Sequence, residues 1–367
     1  VVIDAIGEMD TISIWTADYD LLGYANYTLR WRKGYPNSIG LFYSAMTKRV
    51  GLRPLDEEYI LMGMSAYGKP KYVNDILDKY IDKLSSQTFK ENMHMGVPDD
   101  FLGADADHYD IANSSQEVVE GLIYSVMDYA RHNYPNKNLV YCGGVALNCL
   151  ANRNLGNYFK NIWIMPNPGD AGSSLGTAAL AYGKQINWND AFLGYDIPGA
   201  YPVREILDEL QTNKIVGVAS GRAEFGPRAF GNRSLLADPR GAEIKDKVND
   251  IKRRQHFRPF APVILEEFVN EYFFMPKGFE KSPYMQAVAR CKKPEEFSAI
   301  IHKDGTSRVQ TVPNDGSGIR KLLEEWLTLT GCPMLLNTSL NIRGEPMVND
   351  LNDAKRFEKE YGVKVCS

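Results

Sequence analysis

The sequence predicts an α/β protein of two domains, residues 1–195 and 200–367. Three observations point there. Short β-branched runs alternate with helical patterns along most of the chain, and 367 residues is long for one core. A Gly/Pro-bearing, aromatic stretch at 185–203 reads as a linker between two such regions.

The first region opens as a strand meander. Val1–Asp4 is apolar and β-branched, Thr11–Trp15 and Tyr27–Trp31 alternate, and Gly7, Asp18, Asp20 and Gly23 supply the turns. Leu41, Phe42, Ala45 and Met46 recur at helical spacing over Ile39–Val50, and a charged amphipathic helix is expected near Val73–Leu84. From Ser114 to about His132, Val118, Val119, Leu122, Ile123, Val126 and Met127 share one helix face. Strand Asn138–Cys142, a Gly143-Gly144 turn, helix Ala146–Leu155, strand Ile162–Met165 and helix Ser173–Ala181 follow. Three strands, helix, strand, helix, strand, helix is the order of one ribonuclease-H-like half of the sugar kinase/actin/Hsp70 architecture, in which ATP lies between two halves. The other half is expected N-terminal to Val1, on a longer form of this chain or on a separate polypeptide. A second α/β region is expected to begin at strand Ile215–Ala219 and run to the end.

Composition excludes little but sets the class. Hydrophobic residues at 44% and charged residues at 24% suit a globular protein, and a net charge of −4 gives no global pull toward nucleic acid or anionic membrane. No apolar run reaches the roughly 18–20 residues of a spanning helix, and no basic-then-apolar leader opens the sequence. Five cysteines without a CxxC pair read as the reduced thiols of a cytoplasmic protein.

Four segments carry chemistry. Gly143-Gly144-Val145-Ala146-Leu147-Asn148 lies between a buried strand and a helix, where paired glycines admit a nucleotide close to the backbone. Asp4 and Asp170 stand at a strand end and before a helix, each near a glycine, and suit a metal bound to ATP phosphates; Asp170 also reads as an N-cap. Residues 221–258 hold seven arginines and three lysines against five acidic residues, interleaved with Gly, Pro and Phe and without a helical stripe. Arginine forks match phosphate or carboxylate oxygens, so a compact anion is the expected ligand; a structural network and nucleic-acid phosphates are the other readings. Asn337-Thr338-Ser339-Leu340-Asn341 follows an apolar strand and can hold an amide-like group through neutral hydrogen bonds, or form a plain polar turn. His302–Gln310 is a polar turn leading into a strand.

Together these segments resemble the O-carbamoyltransferases of nodulation-factor and antibiotic biosynthesis, from Val1 to about Asn349. The resemblance rests on MGMSAYG (62–68), CGGVALN (142–148), NPGDAGSSLGTAAL (167–180), GRAEFGPRAFGNRSLLADPR (221–240), FRPFAPVIL (257–265), HKDGTSRVQTV (302–312) and LLNTSLNIRGEP (335–346). It implies a threonylcarbamoyltransferase-like domain at 1–195 followed by a YrdC-like domain at 200–367. It further implies that carbamoyl phosphate and ATP yield a carbamoyl-adenylate, which a hydroxyl of a sugar, natural product, nucleoside or hydroxymethylated base then attacks. Arg228, Lys252, Arg258, Arg308, Asn337 and Ser339 fall where the family holds carbamoyl phosphate or the adenylate. Asp4 and Asp170 fall on its two aspartate ligands to a divalent metal (Fe, Mn or Mg). The family's HxxxH pair is absent from this sequence and is expected upstream of Val1; Ile60 and Gln255 stand where the family often has Lys and Glu. A subunit of a split enzyme, a non-catalytic anion-binding relative and a threonylcarbamoyl-adenylate enzyme are the alternatives.

Overall fold

A computed structural model describes residues 1–367, which form two compact units, Val1–Trp188 and Asn189–Ser367. Each is a mixed α/β body. No helix is long and apolar enough to cross a membrane.

In the first unit, β1 (Val2–Gly7), β2 (Asp10–Tyr19) and β3 (Ala25–Gly34) form an antiparallel meander. The alternation in the sequence buries Ile3, Ile12 and Ile14 on one face. The strands run longer than the apolar pattern, because hairpin pairing continues to a tip where Leu21 and Leu22 stand in water. Helix α1 (Ile39–Arg49) starts where Ser38 Oγ accepts the Leu41 N–H at 3.0 Å, and ends with Lys48 and Arg49 in its last turn. Helices α2 (Glu58–Met64) and α3 (Val73–Tyr80) follow; α3 stops short of the expected Leu84 because Ile81–Lys83 (β4) turns to pair with Thr88–Phe89 (β5). Helix α4 (His108–Asn133) begins a turn and a half earlier than its apolar stripe, since the carboxylate of Asp107 caps Tyr109 and Asp110.

Strands β6 (Asn138–Tyr141) and β7 (Asn161–Ile164) are parallel. A parallel bridge from Val2 to Cys142 joins them to the meander, with Ile3 N–H donating to Cys142 O and Cys142 N–H to Val1 O, both at 3.0 Å. The resulting strand sequence is β3-β2-β1-β6-β7. The single helix expected over 146–155 is instead a 3-10 turn, Gly144–Leu147, then α5 (Cys149–Asn152) and a second 3-10 turn, Leu155–Asn157. Asn148 makes the break: its backbone leaves the helical region and its side chain caps Ala151 N–H at 3.1 Å. Helix α6 (Ser173–Tyr182) is apolar in sequence, yet none of its residues is buried.

The second unit begins ahead of its first long strand. Residues 196–197, read above as linker, form β8 (Asp196–Ile197), and α7 (Val203–Asn213) precedes β9 (Ile215–Ala219). Strand β8 pairs with β10 (Gly221–Arg222), a partner too short to leave a pattern. The core sheet also uses β11 (Arg233–Ala237), then, after α8 (Ala242–Ile251), β12 (Ala261–Leu265). Beyond α9 (Val269–Tyr272), β13 (Phe273–Phe274), β14 (Ala289–Cys291) and β15 (Thr306–Ser307) make a small antiparallel sheet. Strand β16 (Gln310–Val312), helix α10 (Gly318–Thr330), β17 (Met334–Ser339), α11 (Leu351–Tyr361) and β18 (Val365–Cys366) complete the unit. The six strands lie in the order β16-β12-β17-β11-β9-β18. Every residue of β9, β11 and β12 is buried, as expected of strands covered on both faces. Leu210, Val216, Leu235, Val263, Leu323 and Trp326 belong to one continuous core.

Candidate functional site

The first unit holds a cavity of about 580 Å³ whose walls include Asp4, Gly144, Asn148, Gly169 and Asp170. Of Asp4, Gly143, Gly144, Asn148 and Asp170, only Gly143 is not a lining residue. Its φ of +92° and its packing explain it differently: a Cβ would meet the Ile3 carbonyl oxygen at 2.0 Å, so this glycine lets β1 close on β6. Gly144 serves the cavity, since its Cβ would stand 3.1 Å from Asp4 Oδ1. The Asp4 carboxylate accepts the Ala5 N–H at 2.7 Å and a second N–H from Gly144. Burial raises its pKa above the usual carboxylate value, the two N–H groups oppose that, and the charge of Asp170 adds to it.

Two carboxylates facing one cavity fit a hard divalent cation by donor type, but six or more oxygens are the usual complement. No group of three or more His, Cys, Asp or Glu side chains converges here. Asp4 and Asp170 therefore fit such an ion as part of a larger ligand set. Asn148 is held rigidly. It exchanges two hydrogen bonds with the buried Gln116, at 3.0 and 3.1 Å, and Gln116 in turn accepts from the Tyr43 hydroxyl at 2.7 Å. That brace links residues 32 and 73 apart in sequence, and no local spacing announces it.

In the second unit the basic segment divides into two uses. Arg233, fully buried, makes six hydrogen bonds to the carbonyls of Ser220, Gly221, Asn232, Tyr195 and Asn349. Arg240 forks onto Asp238 at 2.8 Å through both Nε and Nη2. These two arginines are structural. Helix α8 also occupies residues 242–251, where the sequence showed no helical stripe; Ile244, Val248 and Asn249 form its buried side.

Lys252 follows directly on that helix and is only 5% exposed. Its ammonium donates to Ser339 O at 2.6 Å, Ser339 Oγ at 3.4 Å, Asn341 O at 2.8 Å and Asn341 Oδ1 at 3.0 Å. All four acceptors are neutral. Burial, with the charges of Arg254 and Arg258 added, pushes its pKa well below the usual lysine value. Lys252 and Ser339 are thus brought together, and the charge of Arg258 bears on Lys252.

Asn337 sits two residues before Ser339 on β17, opposite Leu236 and Ala261 in the register, so both side chains share a face. Its Nδ2 donates to Ala229 O at 3.0 Å, which ties it to the residue after Arg228. Arg228 and Arg308 are half-buried; Arg308 lies two residues before Gln310, which bonds to Asn337 at 2.8 Å. Two buried groups escaped the sequence reading. Glu224 accepts the N–H groups of Phe230, Asn232 and Arg233, and Gln310 donates to Phe230 O at 3.0 Å. Both pin the loop that carries Arg228.

Comparison with known proteins gives the class. Residues 1–179 match the carbamoyltransferase N-terminus family and residues 207–366 the carbamoyltransferase C-terminus family. The chain belongs to the carbamoyltransferase family, together with nodulation protein U and 3'-hydroxymethylcephem-O-carbamoyltransferase. It is 34% identical to an uncharacterized protein of Synechocystis over 96% of this chain and 69% of that protein. It is 32% identical to nodulation protein NolO of Bradyrhizobium diazoefficiens, over 87% and 65%, and 33% identical to the Amycolatopsis lactamdurans cephem enzyme, over 67% and 51%. The chain therefore spans between 51% and 69% of the length of these relatives.

Proposed function

We propose that this chain takes part in ATP-dependent O-carbamoyl transfer, moving carbamoyl from carbamoyl phosphate through a carbamoyl-adenylate to an acceptor hydroxyl. The observation that carries the reading is Lys252: a buried cation, bound only by neutral oxygens and pressed by the charges of two arginines. A buried positive centre of this kind is stabilised by an anion. Arg228, Arg258 and Arg308 would hold the phosphate oxygens, and Asn337 and Ser339 the carbamoyl end. In the first step water cleaves carbamoyl phosphate to carbamate and inorganic phosphate, and a carbamate oxygen then bonds to the α-phosphorus of ATP as pyrophosphate leaves. In the second, the acceptor oxygen bonds to the carbamoyl carbon and AMP leaves.

The strand sequence β3-β2-β1-β6-β7 supports reading the first unit as one ribonuclease-H-like half of a threonylcarbamoyltransferase-like domain. By the same resemblance the second unit is the YrdC-like domain. The Gly143–Asn148 turn would face the nucleotide. Asp4 and Asp170 would supply two ligands to a divalent ion that neutralises phosphate charge, with the rest of the acceptor machinery on the part of the enzyme that the longer relatives carry. The relatives' names supply the acceptor chemistry in outline only: a hydroxymethyl group in the cephem case.

The test is direct. Pyrophosphate release from ATP should depend on carbamoyl phosphate, and mass spectrometry across hydroxylated acceptors should find carbamoylated product. Pyrophosphate release that is indifferent to carbamoyl phosphate would remove the proposal.

A further inference from the structure

Beyond the last turn of α8 the chain doubles back on the helix. Arg253 takes a φ of +50°, a left-handed value for a residue with a Cβ. The buried Asn249 then donates to the carbonyls of His256 and Arg258, at 3.4 and 3.3 Å. This sets the His256 ring between two carboxylates of the helix. Its Nδ1 stands 3.0 Å from Asp246 Oδ1, and its Nε2 stands 3.0 Å from Asp250 Oδ1. Asp246 and Asp250 are four residues apart and share a helix face, where like charges oppose the helix. A neutral imidazole has one N–H and one bare nitrogen, which would set lone pair against lone pair at one carboxylate. Only the imidazolium donates to both. The two nitrogens address different carboxylates, so the three side chains form a bridge and not a chelate.

The neighbouring charges are engaged with other groups. Lys252 faces Ser339 and Asn341, Arg253 lies over the Tyr361 ring, and Lys247 donates to Asn213 O. Arg254 donates to Asn249 and to Pro259 O and covers the Phe260 ring, while Lys245 feels the charges of both Asp246 and Arg254. The rest of the imidazole is in water, the His256 side chain being 56% exposed. We propose that His256 is the positioning residue for Arg258: as imidazolium it straps residues 253–258 to α8, and on losing its proton it slackens them. The inference rests on the proposed function, which gives Arg258 the phosphate oxygens of the donor. The hydrogen bond to Asp246, with the charges of both aspartates, holds the imidazole pKa above the usual histidine value. The strap is therefore closed below that raised value and opens as pH climbs through it. Asn249 does not titrate and keeps the loop beside the helix throughout, so the change is graded. It should amount to about two- to fivefold in donor affinity, the range of an exposed ion pair.

Nuclear magnetic resonance of the full chain reads the strap directly. The His256 ring should titrate above 6.5, and Asp246→Asn or Asp250→Asn should each lower its midpoint. Backbone signals of residues 253–258 should follow the ring with the same midpoint. A ring that titrates at or below 6.5, or a loop that ignores it, overturns the inference. The second measurement is the KM for carbamoyl phosphate in pyrophosphate release, taken on either side of the ring's midpoint. Lys252 is present in every variant, so differences between variants isolate His256. On the acid side His256→Gln should have a KM about two- to fivefold above wild type, with kcat unchanged, and on the alkaline side it should match wild type. His256→Lys keeps a cation on both sides, so it should match wild type in acid and bind the donor more tightly than wild type in alkali, by the same factor. His256→Gln that equals wild type on both sides overturns the positioning role and leaves the proposed function standing. Wild-type pyrophosphate release that ignores carbamoyl phosphate overturns the proposed function and this inference with it, whatever the ring's titration.

Discussion

Lys252 and Ser339, 87 residues apart, meet at 2.6 Å from ammonium to carbonyl oxygen. One buried cation thus fastens the chain leaving β17 to the end of α8, and charge and architecture reside in the same group. Lys252→Met should remove both. We expect carbamoyl phosphate binding to weaken by at least about 100-fold, and stability to fall by about 1–3 kcal/mol as the Ser339 and Asn341 carbonyls lose their donor. Calorimetry and urea unfolding read the two effects separately.

The depressed pKa of Lys252 gives a pH signature. Because the folded value lies below the unfolded one, the charged form opposes folding at low pH, and that opposition fades as pH rises from the folded value toward 10.5. A bound anion favours the ammonium and raises its pKa, so binding should take up a proton in the window between the depressed and the restored value. Titrating inorganic phosphate in two buffers of different ionisation enthalpy should show net uptake at alkaline pH. Lys252→Met should show none.

Arg258 and Arg233 should separate cleanly. Arg258→Ala should slow carbamoyl-phosphate-dependent pyrophosphate release by roughly 10- to 150-fold while the unfolding midpoint stays within a degree or two of wild type, about the scatter of a surface substitution. Arg233→Met leaves five carbonyl oxygens without their donor. It should cost stability, about 3–5 kcal/mol by chemical denaturation.

The two units should fail differently. In the complete enzyme, Asp170→Ala should block transfer to the acceptor and spare adenylate formation, because the cavity it lines lies in the first unit. Asn337→Ala should do the reverse. Chemically prepared carbamoyl-adenylate should restore product formation to Asn337→Ala and not to Asp170→Ala; equal rescue of both would remove the division of labour.

The elements that could be read beforehand are those whose signal is local. Helices α1 and α4 carry apolar residues at helical spacing, and β9 is an unbroken apolar run. What escaped depends on distance along the chain. Strand β8 is two residues long and exists only because Gly221 and Arg222 lie beside it. The helix after Gly144 breaks because Asn148 caps Ala151, a competition that apolar periodicity does not reveal. The charge count over 221–258 could not separate Arg233, spent on carbonyls, from Arg258, whose charge bears on Lys252. Gln310 lay inside a recognised motif, yet its use follows from contacts 27 and 80 residues away.

Helix α6 has a consequence for handling the molecule. Leu180 is 65% exposed and Tyr182 61%, and the tip of the β2–β3 hairpin adds Leu21 and Leu22. Such surface makes a protein adhesive. A chain of this length should brighten hydrophobic dyes while fully folded, and should associate more tightly as sulfate is added, where an electrostatic association would loosen.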